Sequence, residues 1–498
     1  MNGRSLATAL LPDIRLGVVR GTTYGLFGAP GEFVPQARAL GARIVRVNIY
    51  WAQVEPEPGQ FVWDAVDALL DQLDERDEAW VTVCCSSRWA TQRRTGWLPA
   101  APAVDIDRYR RFVGELASRR PGAVRFWQCE IEPCLPLFWA GTAEEYLAQL
   151  RVFHEAVRRA DPDALVVLGA AVPGAMLGDG QAGASTWTRF MGQVLREAAA
   201  HFDVFDVHPY GDPYMVPSLV QTCRAQMAAH GYDKPVVVGE NGGPLPPEFP
   251  ANMPFLADVL VANQLQFLGE VTMPDTLESL DAAEDAAVAA LYDRMNTLPS
   301  TLQMFMIGCS AELDDTRHRL ACEDLVIRTV LALSADVRRN LYYRLAPEPQ
   351  LNRDSRVAPA LMFGKLELMD CDGDAIGPRH PAADTFELMA RHLDGVERVD
   401  RIPIADRPDL YLFDILRVHR PALLIAWERR GALSGDQPPA ELTCGWSHSS
   451  AHAVDMFGAD VPTVTDHATL RFPVSPTPTF IEAPRWPTPM DSDIRQRT

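Results

Sequence analysis

The chain has 498 residues, of which 47% are hydrophobic and 22% are charged, a balance typical of a globular protein with two or three domains. Its formal net charge of −20 argues against a nucleic-acid partner, because phosphate binding requires a basic surface. No apolar run is long enough to span a bilayer, and the N-terminal run MNGRSLATALLPD makes a poor signal peptide. We therefore expect a cytoplasmic protein without a nucleic-acid or membrane partner, and its oligomeric state stays open.

The nine cysteines form no regular framework in a chain of this length, which predicts free thiols in a reducing compartment. Some of them, such as Cys84 and Cys85, lie at predicted strand ends, but no CxxC spacing supports a metal site. The run Gly178–Gly183 fits GxGxxG, yet it lies several residues past its strand and is interpreted as a plain loop. We expect neither a metal nor a cofactor.

Apolar runs recur along the first 390 residues, separated by segments of helical period. Tyr109, Phe112, Val113 and Leu116 show this period, and Thr142 with Glu145 forms a capping box before another helix. The predicted strands are Leu16–Gly21, Ile44–Trp51, Trp80–Cys85, Arg125–Pro133, Leu165–Ala171, Phe202–Tyr210, Pro235–Gly243 and Met304–Leu313, the last one after a long insertion. Strands that read as continuous apolar runs between helices are typical of a parallel sheet, and eight of them predict a (β/α)8 TIM barrel over residues 1–390.

The residue pattern changes near residue 391, where short strand-like runs are separated by turns. Examples are YLFDILRV, ALLIAWE, HAVDMFG, ATLRFPVS and TFIEA. Such short runs without a helical period predict a β-sandwich domain over residues 391–483. Residues 484–498 are rich in proline and charge and are predicted to form a C-terminal tail.

Two of the predicted barrel strands end in a glutamate. Glu132 closes the fourth strand in RFWQCEIEP, and Glu240 follows three valines in PVVVGENGG. The carboxyl ends of the strands carry the chemistry in a barrel, so we interpret the two glutamates as partners. Capping or salt bridging at the strand ends is the alternative for each.

The barrel with its sandwich resembles the clan A glycoside hydrolases, most closely the β-xylosidase and α-iduronidase type. Further matching features are Arg46 on the second strand with the following VEPEPGQFVWD, Trp89 after the third strand, and the run from His208 to Tyr210 on the sixth. The resemblance implies that Glu132 is the acid/base and Glu240 the nucleophile of a retaining glycosidase. Arg46, His208 and Tyr210 could then hydrogen-bond Glu240 and keep it charged.

Each of the other matching residues also has a structural alternative. Arg46 could form an ion pair in the barrel mouth, and His208 is expected to brace the barrel rather than to transfer protons. Trp51 and Trp89 could stack on a sugar or fill the rim of the barrel.

The sequence departs from the family pattern around the predicted acid. Ile131 stands where the family has an asparagine that hydrogen-bonds the sugar 2-hydroxyl, and Glu130 stands where tryptophan is frequent. A tryptophan frequent at the end of the eighth strand is also missing from GCSAELDD. The substrate-binding set predicted from the resemblance is Arg46, Trp51, Trp89, Glu130, Ile131, His208 and Tyr210.

Three functions remain open at this point. The first is a retaining glycoside hydrolase that acts on a small glycoside or glycoconjugate, including one that lacks a 2-hydroxyl. The second is a repurposed barrel in a biosynthetic pathway that uses the glutamate pair for acid/base chemistry on a non-sugar compound. The third is a carbohydrate-binding protein without turnover.

Overall fold

The computed structural model describes residues 9–172, 187–267, 286–347, 356–372, 375–431, 438–466 and 468–484. The chain divides into two compact units, Met1–Glu387 and Leu388–Thr498. The glycine-rich run Gly178–Gly183 and the tail predicted beyond Pro484 lie outside the described residues.

The first unit contains a closed barrel of eight parallel strands. Each strand pairs with the next one along the chain, and the eighth pairs with the first. The barrel strands are β1 (Arg15–Val19), β2 (Ile44–Tyr50), β3 (Glu78–Cys84), β4 (Val124–Cys129), β5 (Leu165–Ala171), β6 (Val204–Val207), β7 (Val236–Asn241) and β8 (Arg339–Tyr343). The predicted TIM barrel is therefore confirmed.

Helices follow several of the strands, and two of them, α4 (Ile106–Ala117) and α5 (Ala143–Ala160), have one buried apolar face. Helix α4, for example, buries Tyr109, Phe112, Val113 and Leu116, and α5 begins at the predicted capping box. Within the described ranges, no helix combines the length and apolarity that a membrane-spanning segment requires. The helices are α1 (Val34–Ala39), α2 (Trp51–Val54), α3 (Asp64–Gln72), α4 (Ile106–Ala117), α5 (Ala143–Ala160), α6 (Gly192–Glu197), α7 (Val216–Ala229), α8 (Met253–Phe267), α9 (Ala286–Asp293), α10 (Ser300–Gln303), α11 (Ala311–Ser334), α12 (Ala358–Phe363) and α13 (Pro381–His392).

The eighth strand lies elsewhere than the sequence predicts. Residues 304–313 do not form a strand, since Met304, Phe305 and Met306 are buried in an apolar cluster with the segment that precedes them, and α11 begins at Ala311. The strand that closes the barrel is β8, which follows the 24-residue helix α11 and starts with Arg339. The prediction was wrong because Met304–Leu313 is the more apolar run, whereas β8 starts with a charged residue and an amide.

The barrel interior is layered. Ile44, Trp80, Phe126 and Val204 come from four strands and form part of an apolar layer. Because side chains alternate along a strand, the residues two positions further point to the same interior. These are Arg46, Thr82, Gln128 and Asp206, all of them fully buried. A polar layer therefore lies directly above the apolar one, towards the carboxyl ends of the strands.

The second unit contains a five-stranded antiparallel sheet in the order β11-β12-β13-β18-β15 and a three-stranded sheet in the order β14-β17-β16. Leucine, alanine and aromatic side chains of both sheets share one core, for example Leu412 and Ala426 with Phe472. The predicted β-sandwich is confirmed. Outside the barrel, the strands are β9 (Met369–Asp372), β10 (Ala375–Arg379), β11 (Val396–Ile402), β12 (Leu410–Arg417), β13 (Leu423–Glu428), β14 (Ala440–Gly445), β15 (His452–Asp455), β16 (Val464–Asp466), β17 (Thr469–Val474) and β18 (Thr479–Glu482).

Gly239 allows the polar layer to close around Asp206. A Cβ atom at Gly239 would lie 2.5 and 2.6 Å from the two carboxylate oxygens of Asp206 and 2.7 Å from the Trp80 ring. We therefore expect Gly239→Ala to lower the free energy of unfolding by about 1–3 kcal/mol in chemical denaturation. Gly114→Ala is the matched control, because Gly114 lies in α4 with nothing within 4 Å of its added Cβ. That change should raise stability by roughly 0.5–1 kcal/mol. A Gly239→Ala protein as stable as the wild type would contradict the packing described.

Candidate active site

The two predicted carboxylates meet at the carboxyl end of the barrel. Glu240 lies in β7, and Glu132 follows β4 in a segment where Glu130 and Glu132 have positive φ values of 64° and 40°. Side-chain ligand atoms of Glu132, His208 and Glu240 all lie within 4.8 Å of one another. Glu132 is 5% exposed and Glu240 is 8% exposed. The pair is thus close together and almost withdrawn from solvent.

The Glu240 carboxylate faces a cation and a hydroxyl donor. Nη1 of Arg46 lies 3.4 Å from Oε2, and the Tyr210 hydroxyl donates to Oε1 at 2.7 Å. Arg46 is itself fixed, because Nη1 donates to the Gly239 carbonyl at 3.0 Å and Nε to the Thr82 hydroxyl at 3.0 Å. Burial and the charge of Glu240 raise the pKa of Tyr210 well above its usual value, so the phenol remains a donor.

The Glu132 carboxyl has a different partner. Its Oε1 lies 2.6 Å from Nδ1 of His208. Burial raises the pKa of Glu132, the hydrogen bond and charge of His208 oppose this, and the charge of Glu240 adds to it. Burial alone would lower the pKa of His208, but the charges of Asp206 and Glu240 outweigh it and raise the pKa to about 10. This raised pKa favours His208 as an imidazolium that donates to Oε1, so that a proton on Glu132 would occupy the other carboxyl oxygen.

Arg46, His208 and Tyr210 thus lie around the glutamate pair, as the sequence predicts. His208 differs in its partner: the sequence predicts a hydrogen bond to Glu240, whereas the ring bonds to Glu132 and to Asp206, at 3.2 Å from Nε2. The histidine consequently acts on the predicted acid rather than on the predicted nucleophile.

Trp51 and Trp89 lie in an aromatic cluster outside the barrel interior. Trp51, the first residue of α2, is fully buried and stacks on Phe112 with ring centroids 5.0 Å apart. Trp89 meets the Trp51 ring edge-on at 5.6 Å, and its Nε1 donates to the Glu55 carbonyl at 3.0 Å. Trp51 therefore offers no free ring face to a sugar, and the half-buried Trp89 keeps only part of its surface exposed.

Glu130 points away from the glutamate pair. Its fully buried carboxyl accepts from the Cys85 backbone N–H at 3.0 and 3.2 Å and from Nε2 of Gln149 on α5 at 2.7 Å. Burial raises the pKa of Glu130 to about 8, against the opposing effect of these hydrogen bonds. The side chain joins the end of β3 to α5 and does not reach the barrel mouth.

Ile131 packs into an apolar cluster with Tyr50, Cys84, Trp97 and Leu98 and is only 2% exposed. The partly buried side chains Leu26, Phe27 and Phe138 pack against this cluster. Ile131 and these neighbours, here called the Ile131 cluster, therefore form an apolar environment at the position where the resemblance implies an amide.

Sequence reasoning missed Asp206, Gln128 and Thr82, which connect the site to the barrel interior. The period of two along a strand could have identified them, since each lies two residues after an apolar residue that faces the interior. Tyr343 was missed because the eighth strand was misplaced. It ends β8 and packs against Phe363, whose ring also contacts Tyr210, so a tyrosine stands where the resemblance implies a tryptophan.

Within the described part of the chain, one group of three potential metal ligands converges, namely Glu132, His208 and Glu240. Both ring nitrogens of His208 are engaged with carboxylates, and the Arg46 guanidinium stands beside Glu240. This surrounding positive charge disfavours the binding of a divalent cation and is compatible with proton transfer. All nine cysteines are free, and six of them are buried, among them Cys84 and Cys85.

The fold, a parallel barrel followed by an antiparallel sandwich, is similar to that of several solved glycoside hydrolases. A family 39 glycoside hydrolase from Bacteroides cellulosilyticus matches with a TM-score of 0.60 at 12% identity, covering 94% of this chain and 81% of the other. A glucosidase from Croceicoccus marinus matches with a TM-score of 0.56 at 12% identity, over 95% and 96% of the two chains. A monomeric β-xylosidase from Caulobacter crescentus matches with a TM-score of 0.55 at 14% identity, again over 95% and 96%. No protein-family model matches the sequence, and no curated protein is found as a relative. Identities this low establish the shared fold alone.

The buried Glu130 carboxyl predicts a pH dependence of stability. Its pKa of about 8 in the folded protein lies above the ordinary 4.5, so the folded state binds the extra proton between these values. The free energy of unfolding should therefore fall as the pH rises from 4.5 to 8, by roughly 3–5 kcal/mol from this group alone.

The substitution Glu130→Gln should remove that slope and stabilise the protein at pH 8. The Gln149 amide can rotate to offer its oxygen, which has no hydrogen-bond partner, to the new amide. Urea denaturation at several pH values measures the effect, and Glu115→Gln on the solvent side of α4 serves as the control. An unchanged slope in Glu130→Gln would refute the assignment.

Proposed function

We propose that the protein is a retaining-type glycoside hydrolase with Glu132 as acid/base and Glu240 as nucleophile. The observation that carries the proposal is the approach of the two carboxyl groups to within 4.8 Å. Retaining glycosidases hold their carboxyl groups about 5–5.5 Å apart, whereas inverting enzymes need about 6.5–9.5 Å to admit a water molecule. The different partners of the two groups, His208 for Glu132 and Arg46 with Tyr210 for Glu240, agree with different roles.

The reaction would proceed in two steps. Glu240, held by Arg46 and Tyr210, attacks the anomeric carbon while Glu132 gives its proton to the departing glycosidic oxygen. Glu132, now ionised, then takes a proton from water, which attacks the anomeric carbon and releases Glu240. Because His208 donates to one oxygen of Glu132, the other oxygen is left to carry the transferred proton.

A small glycoside or glycoconjugate is the substrate class that we favour. The low exposure of Glu132 and Glu240, 5% and 8%, supports a short ligand rather than an extended polymer. The apolar surroundings of Ile131 support a substrate without a 2-hydroxyl, because a hydroxyl group facing isoleucine would lose water without gaining a partner. The glucosidase and the β-xylosidase of the same fold support a carbohydrate ligand.

The Ile131 cluster favours one alternative. A barrel that has been repurposed for a non-sugar compound would keep the carboxyl pair for acid/base chemistry and would place the apolar part of its substrate against Ile131 and its neighbours. A mechanism-based glycosyl fluoride distinguishes the two functions. A covalent mass shift on Glu240 supports the hydrolase, reversible binding without labelling indicates a carbohydrate-binding protein, and the absence of any interaction favours the repurposed barrel.

Removing either carboxylate should abolish turnover of glycosides. We expect Glu132→Gln and Glu240→Gln each to lower kcat by about 10²-fold to 10⁴-fold or more without loss of the fold, as measured by hydrolysis assays and thermal unfolding. Glu132→Ala should retain more activity on aryl glycosides with good leaving groups, because these do not need the acid, whereas Glu240→Ala should spare neither class.

Glu323→Gln is the matched control for this pair. Glu323 is a buried glutamate on α11 whose carboxylate is held by Arg319 at 2.8 Å, so its loss should leave kcat unchanged. A near wild-type rate in either Glu132→Gln or Glu240→Gln would show that the pair has been assigned wrongly.

Ile131 should set the preference at the 2-position of the sugar. The wild type should favour 2-deoxy glycosides over their hydroxylated counterparts by roughly 1–3 kcal/mol in kcat/KM, which is the cost of desolvating an unpaired hydroxyl. Ile131→Asn should narrow or reverse this preference, whereas Ile131→Val, which stays apolar, should keep it. Equal turnover of both substrate series by the wild type would show that Ile131 selects nothing.

A further inference from the structure

Asp206 is a fully buried carboxylate in the polar layer of the barrel. Its Oδ1 accepts from the Gly239 N–H at 2.6 Å, and its Oδ2 accepts from Nε2 of Gln128 at 2.7 Å and lies 3.2 Å from Nε2 of His208. Nη1 of Arg46 lies 4.0 Å from the same oxygen. Each of these neighbours is a donor or a cation, so the site is built for an ionised carboxylate.

The orientation of Gln128 supports this assignment independently. Its side-chain oxygen accepts from the Thr82 hydroxyl at 2.6 Å and from the Trp80 indole at 3.1 Å. Two donors to one amide oxygen fix which end of the amide is the oxygen. The Gln128 NH2 group must therefore point at Asp206, which accepts and does not donate.

Asp206, His208 and Glu132 form a continuous chain of hydrogen bonds that ends at the predicted acid. We propose that Asp206 is a positioning residue that holds His208 as a charged donor to Glu132 and thereby orients the acid, while the negative charge of Asp206 opposes the loss of a proton from the His208–Glu132 pair. The catalytic consequence rests on the proposed function, whereas the pairing of Asp206 with His208 does not.

Charge balance explains why such a residue is needed. The groups that face His208 are Arg46 from β2, Glu132 after β4, Asp206 from β6 and Glu240 from β7. Two cations, Arg46 and His208, meet two carboxylates, Asp206 and Glu240, so the site is neutral when Glu132 holds its proton. Buried charges are stable only when they are balanced. Without the charge of Asp206, the site would be neutral only if either His208 or Glu132 lost a proton.

Titration of His208 itself tests the pairing without any assay of activity. Imidazole nitrogen shifts of protein labelled with 15N-histidine report the charge of the ring, and the loss of a signal in His208→Gln assigns it. In the wild type we expect an imidazolium that persists beyond pH 8. In Asp206→Asn the midpoint should fall by about one pH unit or more, because a neighbouring negative charge has been removed.

Asp203→Asn is the matched control, an identical substitution three residues earlier in the chain. Asp203 bonds to Arg158 at 2.6 Å and to the Val166 N–H at 2.8 Å, away from His208, and its loss should leave the His208 midpoint unchanged. The double variant Asp206→Asn, Gln128→Glu returns a negative charge to the layer and lets the new amide donate to the new carboxylate. It should restore part of the shift.

The proposal is overturned if wild-type His208 titrates at or below pH 7, a result that needs no variant to fold. It is also overturned if a folded Asp206→Asn protein keeps the wild-type midpoint. For the catalytic part, the alkaline limb of kcat/KM should move down by about one pH unit or more in Asp206→Asn and stay in place in Asp203→Asn. A shifted His208 midpoint in a protein that hydrolyses no glycoside would confirm the pairing while refuting the proposed function.

Discussion

The site depends on the contacts that the buried guanidinium of Arg46 makes. The guanidinium bonds to Thr82 on β3 and to the Gly239 carbonyl and Glu240 carboxylate on β7, and it lies 3.0 Å from the His208 ring. A charge enclosed in a barrel is stable only with partners, and a carboxylate left there without its cation would cost about 3–5 kcal/mol. The strands that carry these groups are therefore held in register by electrostatics as well as by the backbone ladder.

The three residues after β4 place their side chains in three different environments. Positive φ at Glu130 and Glu132 breaks the simple alternation of an extended strand, at a cost of roughly 1–2 kcal/mol for each residue. As a result, the Glu130 side chain bonds to Gln149 on α5, the Ile131 side chain packs into the apolar cluster, and the Glu132 side chain bonds to His208. The isoleucine that departs from the family pattern is thus fully accommodated, because its neighbours Tyr50, Cys84, Trp97 and Leu98 form an apolar site for it.

The sequence was sufficient for the parts of the fold that follow simple rules. Seven barrel strands were predicted because a buried parallel strand reads as an apolar run. The proximity of Glu132 and Glu240 could be expected because the carboxyl ends of barrel strands meet at one edge. β8 was missed because it begins with Arg339, whose charge is balanced by Glu78 at 2.6 Å, a partner 261 residues away. Trp51 could not be placed either, since a tryptophan after a strand looks the same whether it stacks on Phe112 or lines a site. Asp206 was not predicted because it lies within a strand rather than at a strand end. Only the period of two along a strand, which places alternate side chains in the barrel interior, would have indicated it.

The difference between the two glutamates originates in the barrel strands and in the residues that directly follow them. Glu240 meets Arg46 from β2, while Glu132 meets His208, which follows β6 and is backed by Asp206 within that strand. These partners are fixed by strand register, which is set by the apolar layer of Ile44, Trp80, Phe126 and Val204 beneath them. Under the proposed roles, loops around the mouth can therefore vary in length and chemistry without altering which carboxyl group acts as the acid. Under the proposed function, ligand preference and proton placement are consequently separable, the former depending on the Ile131 cluster and the latter on the polar layer.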